Sequence, residues 1–217
     1  MPPSNASIAR QPPSRRMRYW RIVLACLVSG ILAGLLTASQ CQISEDCRIG
    51  AIQVLSSDPA SWTMWLHWIN WVPGIVFGLL FAFSALERDR ADRPRRVGLY
   101  ALASGAAYLI AGLVFALFLS PAAGVEYGLI VWVWPAGIAA GLIGALVLAV
   151  MCNLLIRPAS AGGPFSRSWL PALVGAVAGV LFVYIGIYGE QQILLAWPAA
   201  FVIWQVAVGV ALLPRSA

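Results

Sequence analysis

The sequence predicts an all-α integral membrane protein, a six-helix transmembrane bundle whose pattern suggests three parallel helical-hairpin repeats. Three observations predict it. Hydrophobic residues make up 61% of the chain, charged residues only 10%, and mean hydropathy is +0.84. A soluble domain is about half apolar and a quarter charged, so this composition belongs to a chain solvated by lipid. The apolar residues also fall into six runs, each near or above the roughly 20 residues that carry a helix across about 30 Å of hydrocarbon. Nearly all charge lies between those runs. Helices are required because lipid offers no partner to an unpaired backbone group.

The runs lie at approximately 21–38, 62–86, 97–119, 129–156, 169–188 and 193–213. Residues 1–18, rich in Pro, Ser and Arg, have no apolar face and read as a disordered basic cytoplasmic tail. Residues 19–217 read as a single transmembrane domain.

The first run carries Gly30 and Gly34 at four-residue spacing, as do Gly74/Gly78, Gly137/Gly141 and Gly175/Gly179 in later runs. Such pairs let backbones approach closely, which in lipid replaces the missing hydrophobic drive for helix association. The segment after the first run contains CQISEDC. On an oxidising side of a membrane, Cys41 and Cys47 are candidates for a disulfide, and their spacing is not the C-x-x-C of exchange catalysts. Cys26 and Cys152 read as small apolar residues within spans.

The second run opens SWTMWLHWINWVPGIVFG. At 100° per residue His67, Asn70, Trp71, Gly74 and Gly78 share about 100° of arc, so the polar pair shares a face with the glycine pair. Trp62, Trp65, Trp68 and Trp71 wind around the helix and read as an interfacial tryptophan belt. His67 is the only histidine. With Asn70, Glu126 and Glu190 it forms a speculative outer polar cluster, for which the plainer account is a hydrated or hydrogen-bonded interfacial histidine.

Farther along, Tyr108 and Gln205 fall near the middle of the third and sixth runs. A buried amide needs partners in lipid, so these two are expected to bond each other, or Ser29 and Ser104. Pro135 lies inside the fourth run and predicts either a kink or the true helix start. Trp71, Trp134 and Trp197 stand 63 residues apart, in WVPGIVFGL, WPAGIAAGL and WPAAFVIWQ. Each begins a helix of the same direction, hence the parallel repeat. The third copy lacks the glycines.

Orientation follows from the arginines, of which there are 14 and no lysine. All but Arg48 fall in the N-terminal tail, the even-numbered connections and the C-terminus. Basic residues are retained inside, which places both termini in the cytoplasm and the chain in the cytoplasmic (inner) membrane as a multi-pass protein. The net charge of +6 is therefore topological: it points to anionic lipid head groups and not to nucleic acid.

The sequence carries no motif for catalysis, metal binding or a cofactor. No charged residue sits deep in a span, where pumps and proton relays place one. The favoured reading is a non-catalytic accessory or scaffold subunit, partnered by another membrane protein or a second copy. The alternatives are a small transporter or channel for a polar solute, with His67 and Asn70 on its path, and an intramembrane enzyme joining His67 to Glu126 or Glu190 on a lipid-like substrate.

Overall fold

A computed structural model describes residues 15–43, 71–86, 90–119, 128–157, 165, 168–188 and 193–213. Among these there are six helices and no strand: α1 Arg15–Ile43, α2 Val72–Ala85, α3 Arg93–Leu119, α4 Gly128–Leu155, α5 Trp169–Tyr188 and α6 Ile193–Ala211. Over its described residues the chain is all-helical, with the apolar helices of a membrane protein. Four of its helices, α1, α3, α4 and α6, are long and apolar enough to cross a bilayer, while α2 and α5 are apolar but shorter in their described parts.

The helix ends depart from the hydrophobic runs where helix propensity outlasts apolarity. α1 begins at Arg15 and continues to Ile43, so Arg15–Arg18 of the expected tail are helical, as is the backbone at Cys41. Arginine and glutamine are good helix formers, and nothing in RRMR or SQCQ stops the helix. α5 has the limits expected of the fifth run. α2 begins after Trp71, with Pro73 in its first turn, where a missing N–H costs nothing. α4 runs through Pro135 and α6 through Pro198, so Pro135 is not the start of its helix. Each proline leaves the carbonyl four residues earlier without its helical donor.

Each helix packs on the next in chain order, and α6 returns to pack on α1, closing a ring of six. Neighbours run antiparallel. Arg18 near the start of α1 reaches Ala85 at the end of α2, and Arg96 near the start of α3 reaches Leu155 at the end of α4. Along α1 and α6, Cys26 faces Gly209 while Gly34 faces Pro198. The starts of α1, α3 and α5 therefore gather with the ends of α2, α4 and α6.

The interior of the ring is filled. Phe77, Tyr100, Leu148 and Val208 are fully buried, with Phe81, Cys26 and Cys152 beside them. Aromatic rings continue along the interior, from Tyr100 against Phe81 through Phe77 and Trp204 to Tyr108. Outward faces are apolar on every helix, α2 and α5 included: Leu79 and Phe83 on α2, and Leu173, Val177 and Leu181 on α5, are all exposed.

Glycines set how closely certain helices approach. In the α4·α5 interface a Cβ at Gly141 would strike the Gly175 carbonyl, and one at Gly179 would strike the Gly137 carbonyl. These four positions bring backbone against backbone. Gly74 and Gly78 admit Ser104, Ala101 and Tyr108 of α3, and Gly30 and Gly34 admit Val202 and Pro198 of α6. The backbone of α1 can reach the proline ring because neither helix interposes a side chain there.

Candidate functional site

Two polar arrangements stand out among the described residues: one at mid-height inside the ring, the other at the arginine-bearing end.

The first is a chain of hydrogen bonds. Gln205 on α6 is fully buried, and its Nε2 donates to the Tyr108 hydroxyl on α3 at 3.0 Å. Its Oε1 accepts from the Ser29 hydroxyl on α1, for which the Cys26 carbonyl at 3.0 Å is an alternative acceptor. An amide in an apolar interior without partners would cost several kcal/mol on hydrocarbon scales, on the order of 4–8. Both ends of this amide are engaged, which ties three helices at one height. The Tyr108 ring is held by Trp204 at 5.2 Å, edge to face, and by Phe201 at 6.3 Å in near-parallel stacking. The expected Gln205–Tyr108 bond is thus present, and Ser29, one of the two alternative partners, bonds the same amide. Ser104 takes no part: its hydroxyl is buried in the α2·α3 interface with no hydrogen-bond partner among the described residues.

The second arrangement lies where the helix ends gather. A helix leaves its last four carbonyls without intrahelical donors. Arg18 of α1 donates to the Ala85 carbonyl of α2 at 2.5 Å, and Arg93 of α3 donates to the Phe83 carbonyl at 2.8 Å. Arg96 of α3 donates to the Leu155 carbonyl of α4 at 2.8 Å. Three arginines from helix starts therefore cap the ends of antiparallel neighbours, where cations are also favoured by the helix dipole. Arg93 lies over the Phe83 ring, 4.1 Å from its centroid. Arg157 donates to Asn153 at 3.0 Å, and Asn153 donates to Ser168 at 3.3 Å, joining α4 to the start of α5.

Asp92 connects this end. It accepts from Arg96 Nε and lies 3.2 Å from Arg90 Nε. The hydrogen bond from Arg96, with the charges of Arg96 and Arg90, holds its carboxyl below the usual carboxylate range.

The speculative cluster of His67, Asn70, Glu126 and Glu190 lies outside the described residues. So do Cys47, Trp62, Trp65, Trp68, Arg48 and the side chain of Cys41.

Sequence reasoning missed the capping. The available signal was that Arg18, Arg93 and Arg96 each stand within a turn of a helix start. In an antiparallel bundle such a start lies beside a neighbour's end. A second missed signal is the match of Arg21-x-x-Leu24-x-x-Leu27-x-Ser29-Gly30 in α1 with Arg96-x-x-Leu99-x-x-Leu102-x-Ser104-Gly105 in α3.

Comparison of the chain with protein families, with curated proteins and with solved structures finds no match.

Proposed function

We propose that this chain is a six-span, non-catalytic accessory or scaffold protein of the cytoplasmic membrane, with both termini inside. Its outer surface and its packing carry the role; its interior conducts nothing. The single observation that carries this reading is the filled centre of the ring. Phe77, Tyr100, Leu148 and Val208 occupy it, and the polar groups at mid-height, Ser29, Gln205 and Tyr108, are bonded to one another. A transport path needs polar groups left open to a solute, and here they are spent on helix association.

Six crossings are supported by the like treatment of all helices. The outward stripe of α5 starts at Trp169 and ends at Tyr184 with Leu173, Val177 and Leu181 between. That separation is about 22 Å of helix, with an amphipathic ring at each end. Tyr19, Trp20 and Phe165 are exposed at the arginine end together with Trp169, and Trp71 and Trp132 at the opposite end with Tyr184. Two aromatic belts on one molecule suit a bilayer with one interface at each. Arginine retention then makes the arginine end cytoplasmic.

The three-hairpin repeat is supported by repeated contacts. Gly74 faces Ser104 and Tyr108, while Gly137, 63 residues on, faces Gly179 and Val183, each 75 residues on. Gly78 faces Tyr100 and Ser104, while Gly141 faces Gly175 and Gly179 in the same register. The third unit pairs α6 with α1, the two ends of the chain. Its glycines, Gly30 and Gly34, stand on the α1 side, which accounts for their absence after Trp197.

The test is purification of the full chain from its native membrane in mild detergent, followed by native mass spectrometry. The reading expects a stoichiometric membrane-protein partner or a second copy. It is overturned if the pure chain in proteoliposomes carries a polar solute and His67→Ala abolishes that flux with helicity unchanged.

A further inference from the structure

We infer that Arg16 and Arg95, at the heads of α1 and α3, bind the phosphate of an anionic phospholipid, each with acyl chains laid along the apolar stripe below it. The inference rests on the membrane orientation proposed above and names the lipid partner of the arginine end.

The arginines of this end divide into two groups. Arg18, Arg93 and Arg96 are committed to backbone carbonyls, Arg157 to Asn153, and Arg90 to Asp92. Arg16, Arg21 and Arg95 bond to nothing among the described residues, and of these Arg16 and Arg95 are exposed while Arg21 is half-buried. Among the described residues no cap or ion pair accounts for them, and an exposed guanidinium offers a planar fork of donors that fits two phosphate oxygens at once.

Their positions specify the rest of the ligand. Arg16 heads an exposed stripe of α1 that continues through Trp20, Leu24, Val28 and Leu32 at four-residue steps. Arg95 heads the corresponding stripe of α3, through Leu99, Leu102 and Ile110. One guanidinium followed by a file of apolar side chains along a helix matches an anionic head group followed by hydrocarbon chains. A zwitterionic lipid fits less well, because its own ammonium cancels the charge that the guanidinium seeks. The stripe of α5 begins at Trp169 and includes no arginine among the described residues, whereas those of α1 and α3 each begin at one.

The test uses the full chain in nanodiscs holding equal amounts of phosphatidylglycerol and phosphatidylcholine, released into a mass spectrometer under native conditions. The wild-type chain should retain phosphatidylglycerol several-fold over phosphatidylcholine. The double variant Arg16→Gln/Arg95→Gln should lose most of that preference with unchanged helicity by circular dichroism, while Arg90→Gln should keep it. Excess inorganic phosphate should leave the preference intact. Equal retention of both lipids by the wild type, an unchanged preference in the double variant, or abolition of the preference by free phosphate each overturns the inference. Failure of the wild-type chain to enter nanodiscs at all would strike the six-span reading itself.

Discussion

The fully buried Gln205 amide donates to the Tyr108 hydroxyl at 3.0 Å, joining the third and sixth helices at mid-height of the ring. The same amide accepts from Ser29 of the first helix. Gln205→Leu removes both bonds and leaves Tyr108 without its donor. The expected loss is about 1–2 kcal/mol, at the upper end of measured interhelical hydrogen bonds in membranes. Equilibrium unfolding in mixed micelles with increasing dodecyl sulfate measures it. A double-mutant cycle with Tyr108→Phe should return a coupling of roughly 0.5–1.5 kcal/mol. Zero coupling would mean that the bond contributes nothing.

Glycines at the helix contacts should be intolerant and a glycine on the open face tolerant. A Cβ at Gly175 meets Ala145 and the Gly141 carbonyl, whereas one at Gly98 meets nothing within 4 Å. Gly175→Val should separate α4 from α5 and lower the unfolding midpoint sharply, by roughly 2–3 kcal/mol as overpacking of a close contact. Gly98→Ala should stabilise by about 0.5–1 kcal/mol through helix propensity alone. Equal effects of the two substitutions would count against the backbone seam.

Arginine caps predict a stability cost that charge alone does not. Arg96→Gln removes the donor to the Leu155 carbonyl, for a loss of about 1.5–3 kcal/mol from that charged hydrogen bond. Arg95→Gln, one residue away and exposed, should leave the same unfolding curve within about 0.5 kcal/mol. Matching losses in the two variants would show that Arg96 acts only through net charge.

Acid should loosen the connection between α2 and α3. The Asp92 carboxyl is held below its usual range by Arg96 first and then Arg90, so the folded state favours its ionised form. Its contribution is fully present above the ordinary carboxylate pKa and is lost as pH falls through the depressed folded value. The protection factors of the Arg93 and Arg96 amides, taken against the intrinsic exchange rate at each pH, should therefore hold at neutral pH and fall only in strong acid. In Asp92→Asn that acid step should disappear.

Much of this fold was legible in the residues, for identifiable reasons. Gln205 and Tyr108 announced their pairing because a polar side chain amid some twenty apolar ones has few ways to satisfy itself. Helix existence followed from hydropathy, but the limits of α1 did not: hydropathy ends where lipid ends, while the backbone helix continues through Arg15–Arg18 and on to Ile43. In sequence the arginines suggest orientation marks, and nothing there shows that three of them are caps. Which carbonyl Arg18 reaches depends on where α2 stops, a fact of the neighbour and not of its own segment. The third unit of the repeat we propose joins α6 and α1, which stand at opposite ends of the chain, so their pairing is not legible in sequence. His67, Asn70, Glu126 and Glu190 lie outside the described residues, so nothing in the geometry bears on them.

The most direct test of the account is a paired reporter fusion at two turns of the ring. One reporter is fluorescent only in the cytoplasm, and the other is active only beyond it. Joined after Asp92, between α2 and α3, the cytoplasmic reporter should be on and the external one off. Joined after Tyr188, between α5 and α6, the signals should reverse. If both junctions report the same compartment, the chain does not cross the bilayer between them an odd number of times. The six-span bundle with its arginine end inside would then be wrong.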